Sequence, residues 1–360
     1  MTKKLNNNIE ERKFDGIEVT LREDVESKNM TTLLEDVILI HNALPEINFK
    51  EIDITTKFLN HKFNAPFIID AMTGGTKEAT KINANLATAA EELGIGMGLG
   101  SQRAGLISKK MAETYAIARK KAPSAFLIAN IGGAQLIKDI NLENIKEIIN
   151  MIKADAIAIH LNSLQEIIQP EGEPNYKGVL EKISWIVSNI ETPVIIKEIG
   201  CGISREVASK LESAKVSSLN VAGLGGTSWA AVEHFIAKKM NLNEKMDLGT
   251  LFRDWGIPTA ASILETKSTT NIPIIASGGI RTGLDIAKCI SLGASLVGIA
   301  KPLLYPAVKS SKEVVICINK MLNELKTTMF VTGSKNINNL ANTRYIITGK
   351  LLEWQTSLTN

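Results

Sequence analysis

The sequence predicts an α/β fold, a (β/α)8 TIM barrel, and two observations carry that prediction. Eight short apolar runs recur along the chain, each followed by a burst of Gly, Ser, Asn, His, Lys or Gln. Amphipathic segments long enough for crossover helices separate most of them, the alternation expected of a parallel sheet. A closed parallel barrel gathers its functional loops at the C-terminal ends of its strands. The polar bursts therefore mark the site before its chemistry is known.

In chain order, residues 67–70 lead into Met72-Thr73-Gly74-Gly75, 95–98 into Ser101-Gln102-Arg103, 126–129 into Asn130, and 156–159 into His160-Leu161-Asn162. Residues 194–196 lead into Lys197-Glu198, 218–221 into Gly225-Gly226-Thr227, 273–276 into Ser277-Gly278-Gly279, and 295–298 into Ala300-Lys301. Several runs are apolar without alternation, as strands buried on both faces are. Crossover helices are predicted over 78–93, 111–121, 142–153, 179–190, 205–214 and 284–292. The barrel core, 66–301, is close to the ~250 residues usual for the fold.

Residues 1–65 form an N-terminal arm and cap, and 302–360 a C-terminal helix and tail, so 1–360 reads as a single TIM-barrel domain with additions. The charged stretch holding Arg12, Lys13, Arg22, Glu23, Asp24 and Glu26 is expected to be mobile until something binds it. Residues 52–58 read as a short strand capping the bottom of the barrel. An insertion after the sixth strand, between Thr227 and Ile257, holds a helical segment, 229–240, and a polar stretch through 241–244. Long loops on that face commonly act as lids or binding walls. A further helix is expected over 313–329.

Composition excludes several classes. The formal net charge is +3 with acids and bases mixed throughout, which is no nucleic-acid footprint. The three cysteines, Cys201, Cys289 and Cys317, lack metal-ligand spacing and read as free thiols of a reducing compartment. No apolar stretch approaches the ~20 residues that span a bilayer, and the first residues lack a signal-peptide core. A cytoplasmic protein with no membrane partner is expected.

Four constellations carry chemistry. Ser277-Gly278-Gly279-Ile280-Arg281 and the exit at Ala300-Lys301 occupy the usual phosphate position of a barrel. There, glycines admit backbone N–H groups to an anion. The same glycines would serve a tight turn equally well. Lys197 ends an apolar strand, where a lysine is costly without a partner. It fits a cation beside an electron-rich group, a Schiff-base nucleophile, or half of a pair with Glu198, although adjacent strand residues point apart. His160, Asn162, Gln165 and Glu166 cluster after the fourth strand: amides to position a ligand, and a carboxylate as a hard oxygen for Mg²⁺ or a base. Asn162 would also cap a helix. Arg103 offers a second anion site, to which Arg12 and Lys13 add charge if the arm folds over the mouth.

Taken together, these residues resemble the type 2 isopentenyl-diphosphate Δ-isomerases, flavin-dependent barrels. The resemblance rests on Ala71-Met72-Thr73-Gly74-Gly75, Gly100-Ser101-Gln102-Arg103, Ala129-Asn130, His160-Leu161-Asn162 with Gln165-Glu166, and Gln169-Pro170-Glu171-Gly172. It continues through Ile196-Lys197-Glu198, Gly225-Gly226-Thr227-Ser228-Trp229, Trp255-Gly256-Ile257-Pro258 and Ser277-Gly278-Gly279-Ile280-Arg281.

The resemblance implies FMN on Ala71, Met72, Thr73, Gly74, Ser101, Asn130, Lys197 and Thr227. The FMN phosphate would lie on Gly278, Gly279, Ile280, Arg281, Ala300 and Lys301. It places the substrate, isopentenyl or dimethylallyl diphosphate, near Arg12, Lys13, Ser101, Gln102, Arg103, His160 and Gln165. Gln165, Lys197, His160 and Asn162 would serve catalysis and Glu166 would hold Mg²⁺. NADPH would be a visiting reductant, and a homo-oligomer, tetramer or octamer, is implied. The family's amino end reads Arg-Lys-x-x-His, whereas this chain has Gly16 at the fifth position.

Overall fold

The computed structural model describes residues 2–138 and 140–358, with side chains from residue 10 onward. Eight parallel strands close into a barrel in sequential order, the last pairing with the first. They are β1 Phe67–Ile69, β2 Gly96–Gly98, β3 Leu127–Gly132, β4 Ala156–His160, β5 Val194–Lys197, β6 Ser218–Asn220, β7 Ile274–Ala276 and β8 Leu296–Ile299.

Side chains alternate across a strand, and here the alternation builds the site. Ile68, Ile128, Ala158, Ile195 and Ile275 belong to one buried interior cluster. Two residues further along each chain segment, on the same face, stand Asp70, Asn130, His160, Lys197 and Ser277. Each inward row thus turns from apolar to polar at its C-terminal end. Register aligns those ends: His160 lies opposite Lys197, and Lys197 opposite Asn220. The other face, with Ile69, Leu127, Ile157, Ile159 and Ile196, packs in the main core with the helices.

Observed helices Lys77–Leu93, Lys109–Lys121, Leu142–Ile152, Val179–Asn189, Arg205–Ser213 and Gly283–Ser291 match the predicted ones to within two residues at each end. Several start on a capping side chain: Thr76, Ser204, and the capping boxes of Asn141 and Thr282. The long C-terminal helix, Ser311–Val331, and the insertion helix, Trp229–Lys239, form as expected.

Three expectations need correction. The sequence predicts an insertion with one helix and a polar stretch, 241–244, but a second helix, Asn243–Leu251, begins within that stretch. The capping strand is shorter than 52–58: it spans Thr56–Phe58 and pairs with His61–Phe63. Positive φ angles at Leu59 and Asn60 make the tight two-residue turn that a hairpin requires. Phe58, Phe63 and Phe126 then pack mutually at the N-terminal end of the barrel, so the capping role itself holds.

The N-terminal arm is the third correction. It is an ordered helix, Thr2–Arg22, rather than a mobile stretch. Val19 is buried with Val25 of the following strap and with Ala231, Val232 and Ile236 of the insertion helix. Lys239 bridges Asp15 at 3.0 Å and Glu18 at 2.7 Å on its flank. Charge density hid this apolar edge from a reading of composition. At the other end of the chain, Tyr345–Ile347 pairs antiparallel with Val37–Leu39, tying tail to arm.

Candidate active site

Lys197 is buried at the tip of β5. Its Nζ donates to the backbone oxygen of Glu198 at 2.8 Å and lies 3.8 Å from Asp70 Oδ2. The partner of the lysine is therefore Asp70. Glu198 points the other way, as strand geometry demands, and accepts the N–H groups of Ile199, Gly200 and Cys201. Burial raises the Glu198 carboxyl to about 7 against those three donors.

His160 accepts its orientation from Asn130. The Asn130 Nδ2 donates to the Leu99 carbonyl at 2.9 Å, which can only accept, so Asn130 Oδ1 must be the atom 2.8 Å from His160 Nδ1. The imidazole therefore donates through Nδ1 and offers Nε2 as a lone-pair acceptor. Burial, with the Lys197 and Lys13 cations nearby, lowers its pKa to about 3, so the ring is neutral at ordinary pH.

Gln165 and Glu166 sit on the short helix Ser163–Ile168 after β4. Asn162 makes no capping bond. Its Nδ2 instead donates to Gln165 Oε1 and Glu166 Oε1, both at 3.0 Å, and Tyr176 donates to its Oδ1 at 2.9 Å. Asn162 is thus an orienting residue for the two beside it. Gln165 Nε2 donates to Glu233 Oε1 at 2.7 Å. Glu233, on the insertion helix, is almost wholly buried, and burial raises its pKa. Among the described residues its other oxygen has no hydrogen-bond partner, the state of a carboxyl ready to hold a proton.

Glu166 is buried, with Asn162 and Gln135 (3.4 Å) at Oε1 and Gln169 and the Glu173 N–H, both 2.8 Å, at Oε2. Among the described residues no cluster of three or more His, Cys, Asp or Glu side chains could hold a metal. A single carboxylate fits a Mg²⁺ that takes its remaining ligands from water and phosphate oxygens. The buried Gln169 Oε1, which has no hydrogen-bond partner among the described residues, is a second hard oxygen beside it.

The arm helix carries Arg12 and Lys13 onto the barrel mouth. Arg12 lies 3.8 Å from Glu233. Lys13 Nζ donates to Ser101 O at 2.8 Å and to Tyr115 Oη at 2.9 Å, and Tyr115 donates to the same carbonyl at 2.7 Å. With only neutral acceptors and Arg12 adjacent, desolvation brings the Lys13 ammonium down to about 7. Arg103 is half-buried at the rim, 3.7 Å from Glu173. Beyond its own helix backbone, no atom of the described residues stands within 4 Å of where a side chain at Gly16 would begin.

Gln102 is not part of the mouth. Its fully buried amide donates to Ile148 O at 3.0 Å and accepts from Asn130 N at 3.1 Å, so it braces β3. Gly74 also has a reason other than ligand approach: a Cβ there would lie 1.8 Å from the Tyr115 ring. Gly74→Ala is expected to destabilise the fold by about 1–3 kcal/mol through overpacking. Urea unfolding checks it, and an unchanged midpoint would mean the ring has room to move.

The phosphate loops show the same double logic. A Cβ at Gly278 would lie 2.1 Å from the Gly223 carbonyl, and one at Gly226 would lie 2.4 Å from Gly279 N. Glycine at both positions therefore serves loop-on-loop packing. The N–H groups of Gly278, Gly279 and Ile280 nonetheless find no acceptor among the described residues. Arg281 and Lys301 flank them, held at 2.9 and 3.1 Å by Glu26 of the strap. Three free N–H donors between two cations fit a phosphate. Thr227 stands at the edge, bridged to Glu26.

Sequence reasoning missed Asp70 and Asn220 as site residues, along with Tyr115 and Glu233. Two-residue periodicity from Ile68 would have found Asp70. Glu233 is an acid on an otherwise apolar helix face with Ala230, Ile236 and Ala237.

The FMN-dependent dehydrogenase family model matches residues 150–347. The chain is 46% identical over 346 residues to an isopentenyl-diphosphate delta-isomerase of Methanococcoides burtonii, covering 96% of this chain and 94% of that one. It is 48% identical to one of Pyrococcus horikoshii, covering 95% and 93%, and 44% identical to one of Halobacterium salinarum, covering 98% of each. Among solved structures it superposes on a Pediococcus acidilactici protein described as a lactate oxidase, with TM-score 0.64, 18% identity and 97% and 94% coverage. A mandelate oxidase variant carrying an FMN adduct gives TM-score 0.60, 15% identity and 92% and 95% coverage. These two share the barrel.

Proposed function

Because this chain belongs to the isopentenyl-diphosphate delta-isomerases, we propose how its own residues move the double bond. The reaction interconverts isopentenyl and dimethylallyl diphosphate. One proton is added at the terminal methylene and another leaves the carbon on the far side of the former double bond, with no net redox change. FMN, held when bound by the free N–H groups at Gly278–Ile280 and by the barrel mouth, supplies in its reduced form an electron-rich ring for proton exchange. NADPH is the proposed reductant, and Glu166 would hold a Mg²⁺ that offsets the charge of the diphosphate.

The observation that carries this reading is the hydrogen bond at 2.7 Å from the half-buried Gln165 to the buried Glu233, beside the cations of the arm. Gln165, fixed by Asn162 on one side and Glu233 on the other, presents its amide to the reacting carbons. Glu233, with one oxygen unpartnered, holds a proton behind it. Lys197 stabilises negative charge in the mouth. Lys13, Ser101 and Arg103 with Arg12 grip the diphosphate. His160, neutral and open at Nε2, accepts a hydrogen bond there rather than adding charge.

Arm 1–65, core 66–301 and tail 302–360 act as one unit in this proposal. Among the described residues no helix is long and apolar enough to cross a membrane, and cytoplasmic location and assembly into a tetramer or octamer complete the reading.

Two measurements test it. With pre-reduced FMN under anaerobic conditions, product should far exceed the reductant added, and in deuterated water the product should gain solvent deuterium. Consumption of NADPH one-for-one with product would overturn it. The free-protein Lys13, charged below about 7 and neutral above, predicts that kcat/KM falls as pH rises through that range. Tyr115→Phe removes one acceptor of the ammonium, so the fall should begin at lower pH and KM should rise ~3–10-fold with kcat little changed. An unaltered KM and pH limb would detach Lys13 from the substrate.

A further inference from the structure

Lys197 has an unusual setting for a cation meant to face a ligand, since a carboxylate lies behind it inside the barrel. The two side chains are only 7% and 9% exposed, and Nζ stands 3.8 Å from Asp70 Oδ2. Asp70 is itself held. Its Oδ1 accepts the Ala71 N–H at 2.7 Å, and its Oδ2 accepts Asn220 Nδ2 at 3.1 Å. Asn220 Oδ1 in turn accepts Ser277 Oγ at 2.7 Å. Side chains from β5 and β6 and from the residues that follow β1 and β7 thus form one polar layer across the barrel. Gly298 leaves room for the carboxylate, since a Cβ there would lie 3.2 Å from Oδ2. A cavity of ≈ 10 Å³ borders Asp70, Asn130, Lys197 and Asn220, room for about one water.

Among the described residues, no other carboxylate lies within ion-pair distance of Lys197, and no other cation within that distance of Asp70. At 3.8 Å the contact is longer than a direct hydrogen bond. An ammonium has three donors; one is spent on Glu198 O, and the rest remain for a ligand in the mouth.

We propose that Asp70 is a positioning residue that acts through Lys197. It anchors the ammonium at the tip of β5 and offsets part of its charge, so that bound flavin meets a partly compensated cation rather than a bare one. The proposal rests on the reading that FMN lies in this mouth. Two-electron reduction adds negative charge to a flavin, which a bare cation favours. The paired carboxylate therefore holds the midpoint potential below the value an unopposed lysine would set.

The experiment uses the FMN-loaded full chain. Its visible spectrum and one-to-one FMN content test the reading of the mouth; the potential tests the inference. Asp70→Asn should favour reduced over oxidised FMN by about tenfold, which is about 30 mV for a two-electron couple. Asp70→Ser, smaller and equally neutral, should move the potential in the same direction, and serves if the amide variant folds poorly. In a Lys197→Met background the shift should vanish, because the ammonium through which Asp70 acts is gone. An unchanged or lowered potential in the neutral variants, or a shift that persists without Lys197, would overturn the proposal.

Discussion

Gln165→Ala is expected to lower kcat by about 10²–10⁴, the range for a group engaged directly in proton transfer, with FMN content unchanged. The amide touches no residue of the phosphate loops; its partners are Asn162 and Glu233. Its removal therefore leaves the cofactor's anchorage intact while cutting the link between Glu233 and the mouth. Glu233→Gln is a sharper probe. It keeps the shape and a hydrogen bond to Gln165 but has no carboxyl proton to give, so a similar loss of kcat is expected with little change in KM. Steady-state kinetics on both variants decide the matter. A fall in substrate affinity alone would make the pair a binding wall rather than a proton path.

The second large effect concerns Lys197→Ala. Flavin reduction and turnover should both slow, by about 10²–10³ for removal of one preorganised charge beside the site of developing negative charge. The fold should suffer as well, because the substitution strands Asp70 in the barrel interior. Breaking a buried pair by removing one partner costs about 3–5 kcal/mol. Urea unfolding should show the loss, and adding Asp70→Asn to the Lys197→Ala chain should recover part of it, because the stranded charge is then gone. No recovery would mean that Asp70 is not the stranded group.

Much of this was legible in the chain. All eight strands, the six crossover helices and the face that bears the site follow from apolar runs and the polar residues that end them. Those signals are local, set by burial and by strand and helix periodicity. His160, Gln165, Glu166 and Lys197 were found the same way, as polar residues where an apolar run stops. Less accessible was whatever depends on a partner distant in sequence. The arm's helix was hidden because its few buried positions, Ile17 and Val19, acquire meaning only against the insertion helix more than two hundred residues away.

The glycines mark the same boundary from the other side. Gly74 and Gly278 signal close approach in any reading of the sequence, but what approaches was not in the signal: the Tyr115 ring in one case and the Gly223 backbone in the other. Gln102 belongs to a motif that carries the family resemblance, yet its amide braces a strand rather than facing the mouth. The sequence by itself determined the barrel, the end at which chemistry happens and the residue types available there. Only the tertiary structure decided the pairings: Lys197 with Asp70, Gln165 with Glu233, and Lys13 with Tyr115. The physical reason is that composition and periodicity report what each segment must bury. A hydrogen bond or ion pair between segments depends on how closed strands and packed helices bring their side chains within about 3–4 Å of one another.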